Sequence, residues 1–218
     1  MTNNPLYEID NSQQIMVITG DNEWDHKVLI ESFLQANVKS RTRYKCCMLY
    51  HCHRENKLTL DTYYIVKSII YNILRCCPSL ENYFKLHGNY EFLREMTDKF
   101  GKEKEDLQRE HANVLLKFFK VLSEMELDYN IAIFITGIDN LYTKAEQSRF
   151  DSFIVLLRIC SLHFPRYLKI VLTMEKRANG DKILELLGTR NVLEINDSEM
   201  FEIEGKSYLD FAVGYGGG

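Results

Sequence analysis

Apolar positions along the chain follow two alternating rhythms. Residues 15–19 (IMVIT) form a short β-branched run ending at Gly20, the pattern of a strand buried on both faces. Residues 28–37 follow, with Leu29, Ile30, Phe33 and Leu34 at helical spacing. A second strand is predicted over 44–52. A helix is predicted over 58–76, with Ile65, Ile69, Ile70, Ile73 and Leu74 on one face and Pro78 just past its end. The same alternation resumes later. Residues 131–136 (IAIFIT) read as a strongly buried strand, and Phe153, Leu156, Leu157 and Cys160 mark a helix by their i, i+3, i+4, i+7 spacing. Residues 167–173 (YLKIVLT) predict a further strand, 182–187 a short helix before Gly188, and 191–195 a last strand. Between the second and third strands lies a helical insert over about 80–125. Its charged part, GKEKEDLQRE at 101–110, reads as a solvated helix start, and its apolar part, 114–122, is expected to pack on the sheet.

Strands alternating with helices predict an α/β fold: a mostly parallel, five-stranded sheet with helices on both faces. In such sheets ligands bind beyond the carboxyl ends of the strands, so the loops after Thr19, Thr136 and Thr173 are where function is expected. The chain divides into a polar N-terminal segment (1–14), the α/β domain (15–196), and a C-terminal helix with a Gly-rich tail (197–218), read as a point of truncation.

Composition narrows the partners. The 218 residues carry a formal net charge of −4, which argues against a dedicated nucleic-acid binder, although the basic strip KSRTRYK at 39–45 keeps that reading open. Uninterrupted apolar stretches are a few residues long, far short of the roughly 20 that span a bilayer. The first 14 residues lack a signal pattern, so a cytoplasmic protein is expected, with the nucleus open as well. The six cysteines (Cys46, Cys47, Cys52, Cys76, Cys77, Cys160) lie mostly in apolar segments and read as buried thiols rather than a disulfide framework. His51, Cys52 and His53, with Cys46 and Cys47 upstream, raise the question of zinc. Their place within one predicted strand, where neighbours point to opposite faces, reads instead as a buried strand end, and no metal site is expected. No Ser-His-Asp or Cys-His catalytic set has a recognisable local context.

Three segments carry a resemblance to a known family. The first, VITGDNEWDHKVLIESFL, resembles a Walker A segment, whose chemistry needs a glycine-rich loop facing phosphates, a Lys, and a Ser/Thr on magnesium. Aligned on Gly20, the pattern falls on Gly20, Asp25, His26 and Lys27, and only the first glycine is kept. Asp21, Glu23 and Asp25 place carboxylates where a phosphate tail would lie, a repulsive arrangement. The second, IAIFITGIDNL, is similar to the Walker B segment of STAND NTPases, especially the NACHT type. The metal-holding Asp becomes Thr136, Asp139 survives as a second acidic position, and the final acidic residue becomes Asn140. The third, YLKIVLTMEKR, resembles the strand that ends in a Thr-Ser-Arg-like stretch in NACHT proteins. Thr173 falls on the polar position, and Glu175 replaces the usual Arg unless Lys176 or Arg177 shifts into place.

The resemblance covers residues 10–210 and implies a degenerate P-loop NTPase-like domain with RecA/AAA-type strand order. It implies a vestigial nucleotide site at Gly20, Asp25, His26, Lys27, Thr136, Asp139 and Thr173, with no catalytic residues and no cofactor expected. The function it implies is a non-catalytic pseudo-NTPase module for protein–protein interaction or scaffolding in a larger assembly, with a protein partner and no membrane. Two alternatives stay open. One is a divergent STAND-type ATPase that binds Mg-ATP through Lys27, Asp139 and Thr173. The other is a RecA-like nucleic-acid-binding paralogue without ATPase activity. Trp24, the single tryptophan, lies in the degenerate loop, either as a ring plugging the nucleotide space or as an anchor for a protein partner. The regulatory helical domains usual after such a core are not found, so the chain reads as a piece of a longer protein.

Overall fold

Continuous apolar runs become the strands of one parallel sheet. The computed structural model describes residues 15–20, 30–31, 34, 44–56, 60–80, 82, 107–124, 130–143, 147–164, 168–175, 180–188 and 192–195. Five strands are described: β1 (Ile15–Gly20), β2 (Tyr44–His51), β3 (Asn130–Thr136), β4 (Leu168–Glu175) and β5 (Val192–Ile195). Their order is β2-β3-β4-β1-β5, and every pairing is parallel. β4 therefore lies between β1 and β3, and β2 forms one edge. Among the described residues, four helices of eight residues or more accompany them: α1 (Thr62–Cys76), α2 (Leu107–Glu124), α3 (Gln147–His163) and α4 (Gly180–Leu187). The α/β class expected from the alternation of patterns is present. None of the described helices is long and apolar enough to cross a membrane.

Side-chain alternation along the strands sorts the core into two faces. Ile15 and Val17 of β1, Ile131, Ile133 and Ile135 of β3, and Leu168, Ile170 and Leu172 of β4 share one large cluster with buried residues of all four helices. Ile18, Ala132, Phe134 and Val171 point the other way and meet Ile30 and Leu34. These last two stand in the segment predicted as a helix over 28–37, of which residues 30, 31 and 34 are described and helical. Phe118, Phe119 and Phe150 are among the largest fully buried side chains, and the Phe119 ring packs against Phe164 and the Phe150 ring against Tyr142.

Several boundaries differ from expectation for local reasons. α1 starts at Thr62 rather than at residue 58, because the Asp61 carbonyl accepts the Ile65 N–H at 3.3 Å and makes Asp61 the residue before the first turn. β4 runs two residues past Thr173, to Glu175. α4 stops where the sequence suggests. Gly188 has φ 62°, a left-handed conformation suited to glycine, and its N–H bonds the Leu184 and Glu185 carbonyls at 2.9 and 3.1 Å. The apolar part of the insert forms α2, but its nearest neighbours are α1 and α3 rather than a strand, so it extends the helical layer beside the sheet. Most of the rest of the insert, the N-terminal segment 1–14 and the C-terminal 197–218 lie outside the described residues.

Candidate functional site

The sheet's register decides which polar residues meet at its carboxyl edge. Ile18 pairs with Thr173, Gly20 with Glu175, and Ile135 with Leu172. Thr136 and Thr173 thus come side by side on β3 and β4, with buried Gly20 at the end of β1 beyond them. On the other side of β3, His51 is the register partner of Thr136. After Thr136 the chain turns through Gly137, whose φ of 65° is left-handed, into a single 3-10 turn over Ile138–Leu141. That turn buries Asp139 behind the strand ends. Four of the expected site residues, Gly20, Thr136, Asp139 and Thr173, therefore lie along one edge. Asp25, His26 and Lys27, together with Trp24, Lys176 and Arg177, lie outside the described residues.

The described edge is closed by its own hydrogen bonds. His51 Nδ1 and Thr136 Oγ1 lie 2.6 Å apart, and the Thr136 hydroxyl also reaches the Tyr50 carbonyl at 3.4 Å. The Gly137 N–H donates to Thr173 Oγ1 at 3.2 Å, and Cys52 N–H donates to the Thr136 carbonyl at 3.0 Å. The Glu175 N–H donates to Asp139 Oδ1 at 3.4 Å. Arg54, in the loop after β2, donates from Nε to Asn140 Oδ1 at 2.7 Å and from its terminal nitrogen to Glu175 Oε1 at 2.8 Å. Asn140 in turn donates to the Cys52 carbonyl at 2.8 Å. One guanidinium thus ties together the ends of β2, β3 and β4.

Electrostatics at this edge centre on Asp139. Burial raises its pKa from 3.8 to about 6. Hydrogen bonds from backbone N–H groups, including that of Glu175, oppose the rise, the Glu175 carboxylate adds to it, and Arg54 lowers it. An acid poised there could exchange a proton near neutrality, but its first oxygen is already held by the Glu175 backbone.

The histidines differ from the expected single strand in one respect. β2 ends at His51, and the following turn brings the His53 ring to 5.6 Å from that of His51. Cys52 between them is buried, while His53 is exposed. No group of three or more His, Cys, Asp or Glu among the described residues is arranged to hold a metal ion. Arg54 and the His51–Thr136 pair were not marked by sequence reasoning. The signal that could have marked Arg54 is a cation just after a strand, facing an acidic residue where the resembled family carries a base.

Comparison of the chain with protein-family models, with curated proteins and with solved structures gives no match.

Proposed function

We propose that this chain is a pseudo-NTPase: a degenerate P-loop NTPase-like domain of STAND/NACHT type whose role is protein–protein interaction or scaffolding. The strand order supports this reading, since β4 lies between β1 and β3 in an all-parallel sheet, as in RecA/AAA-type cores.

The observation that carries the non-catalytic part is the Thr136–His51 contact at 2.6 Å. A magnesium-nucleotide site needs a carboxylate at the end of β3 to hold the metal's water shell. A neutral hydroxyl stands there instead, bonded to an imidazole. Thr173 is spent on the Gly137 N–H, and Glu175 replaces an arginine with the opposite charge, which Arg54 neutralises. This donor set does not fit Mg-ATP. The same polar edge, locked into one arrangement, suits a rigid surface for a protein partner.

ATP and GTP turnover by the purified chain, with and without magnesium, tests this reading. No release above buffer is expected. Turnover that falls in both Asp139→Asn and Thr173→Ala would instead establish the divergent ATPase.

A further inference from the structure

The two faces of α1 differ in chemistry. Ile65, Ile69 and Ile73 are fully buried in the large core cluster, where the helix packs on β2. Its exposed positions, among the described side chains, are Tyr64, Lys67, Tyr71, Arg75 and Cys76. Cys76 departs from the buried thiols expected, although all six cysteines are thiols. The other four follow i, i+3, i+7, i+11 spacing, which sets them on one stripe about 80° wide and about 16 Å long. Tyr64 is 40% exposed and Tyr71 62%, so both rings meet solvent on the side turned away from the core. Beside the stripe, the Asn72 amide donates to the Ser68 carbonyl at 2.8 Å and to its hydroxyl at 3.1 Å, so these polar groups are turned on each other. Residues 62–76 contain no Asp or Glu, whereas each of the other three helices carries at least one. Asp61, just before the helix, is half-buried.

We propose that Tyr64, Lys67, Tyr71 and Arg75 dock an acidic amphipathic helix of a partner protein, with its apolar side chains over the tyrosine rings and its carboxylates on Lys67 and Arg75. This surface is separate from the polar edge of the sheet and stands whether or not the chain binds a nucleotide. Tyrosine is a weaker helix former than Lys, Gln or Glu, so on a solvent face its ring gives the fold little. Tyr and Arg are, by contrast, the residues enriched where partners bind most strongly. Charge selects the partner. In a chain of formal net charge −4, α1 presents two cations and no carboxylate, which complements an acidic surface. Lys67 and Arg75 lie about 12 Å apart along the axis, a separation that carboxylates about two turns apart on a roughly aligned helix can match. A second copy of α1 would set cations against cations. A nucleic acid fits poorly as well, because two cations displace few counterions and the net charge repels a polyanion.

The test titrates the whole chain into a fluorescein-labelled synthetic helix of about 18 residues, roughly 27 Å long, with leucines along one face and glutamates flanking them. Saturable binding by anisotropy is expected, and it should weaken several-fold between about 50 and about 300 mM salt. Tyr71→Ala, and Lys67→Glu combined with Arg75→Glu, change exposed positions and should keep the parent's thermal midpoint. Each should weaken binding on the order of tenfold or more. The charge-reversed variant should instead take the same helix with lysines in place of glutamates, a gain that loss of structure cannot produce. Four results would each overturn the proposal: no saturable binding at millimolar peptide, equal binding by both variants, tighter binding of an oligothymidine through the same residues, or self-association that Tyr71→Ala abolishes.

Discussion

His51 Nδ1 sits 2.6 Å from Thr136 Oγ1, at the point where β2 and β3 end in register. The pair is partly buried, so neither group can exchange its partner for bulk water at no cost. Thr136→Val keeps the shape of the side chain but deletes the hydroxyl. It is expected to destabilise the fold by about 1–2 kcal/mol, from the lost bond and the imidazole nitrogen left behind. Urea unfolding of Thr136→Val, His51→Ala and the double variant should give a coupling of about 0.5 kcal/mol or more. Strict additivity would mean that the two side chains do not interact in solution.

Asp139 makes the stability depend on pH in an unusual direction. Its folded pKa, about 6, lies above its ordinary value of 3.8. Between these values the folded protein holds a proton that the unfolded chain has lost. The contribution of this group is therefore fully present below about 3.8 and is lost as pH rises through about 6. Asp139→Asn removes the buried charge and keeps an oxygen to accept the Glu175 N–H. It should stabilise the protein above pH 6 by on the order of 1–3 kcal/mol, with the gain shrinking towards pH 4. Chemical unfolding of both forms across that range checks it. A gain that does not vary with pH would show that titration of this carboxyl is not its source.

Gly137 is the position where the backbone itself limits substitution. Its φ of 65° is left-handed, and its N–H and carbonyl bond Thr173 and Asn140. Gly137→Ala should cost about 1–2 kcal/mol. Because the strain falls on the turn that carries Asp139 and Asn140, exchange of the Asn140 and Tyr142 amides, which bond the Gly137 and Asp139 carbonyls, should accelerate before global unfolding. Unchanged exchange at both amides would mean that the turn absorbs the methyl group without strain.

The unequal legibility of fold and site has a physical origin. Residues 131–136 announce a strand because every one of their side chains ends up buried, and a run of branched apolar residues between Asn130 and Gly137 has few other ways to fold. The stop of α4 is equally plain, since Gly188 supplies the left-handed cap. The start of α1 was misplaced because Leu58 and Leu60 extend the apolar pattern upstream, while Asp61, whose carbonyl accepts the first helical N–H, is the stronger local signal. The pairings within the edge network were not readable. His51 and Thr136 are 85 residues apart and Arg54 and Glu175 are 121 apart, so only the register of the finished sheet brings them together.

The Arg54 clamp is expected to contribute little to stability. The arginine side chain is 51% exposed and Glu175 is 23% exposed, so solvent screens the ion pair. Arg54→Ala and Glu175→Gln should each shift stability by less than about 1 kcal/mol, and the shift should shrink further in high salt. Thermal unfolding at low and high salt measures this. A salt-insensitive loss of several kcal/mol would mean that the clamp holds up the fold rather than only aligning the strand ends.

Titration calorimetry of the whole chain with Mg-ATP at millimolar concentration addresses the pseudo-NTPase reading most directly. On the proposal that Thr136, bonded to His51, stands where a carboxylate would hold the metal, no saturable heat is expected. A dissociation constant below roughly 100 µM, about 5.5 kcal/mol of binding, would contradict the account.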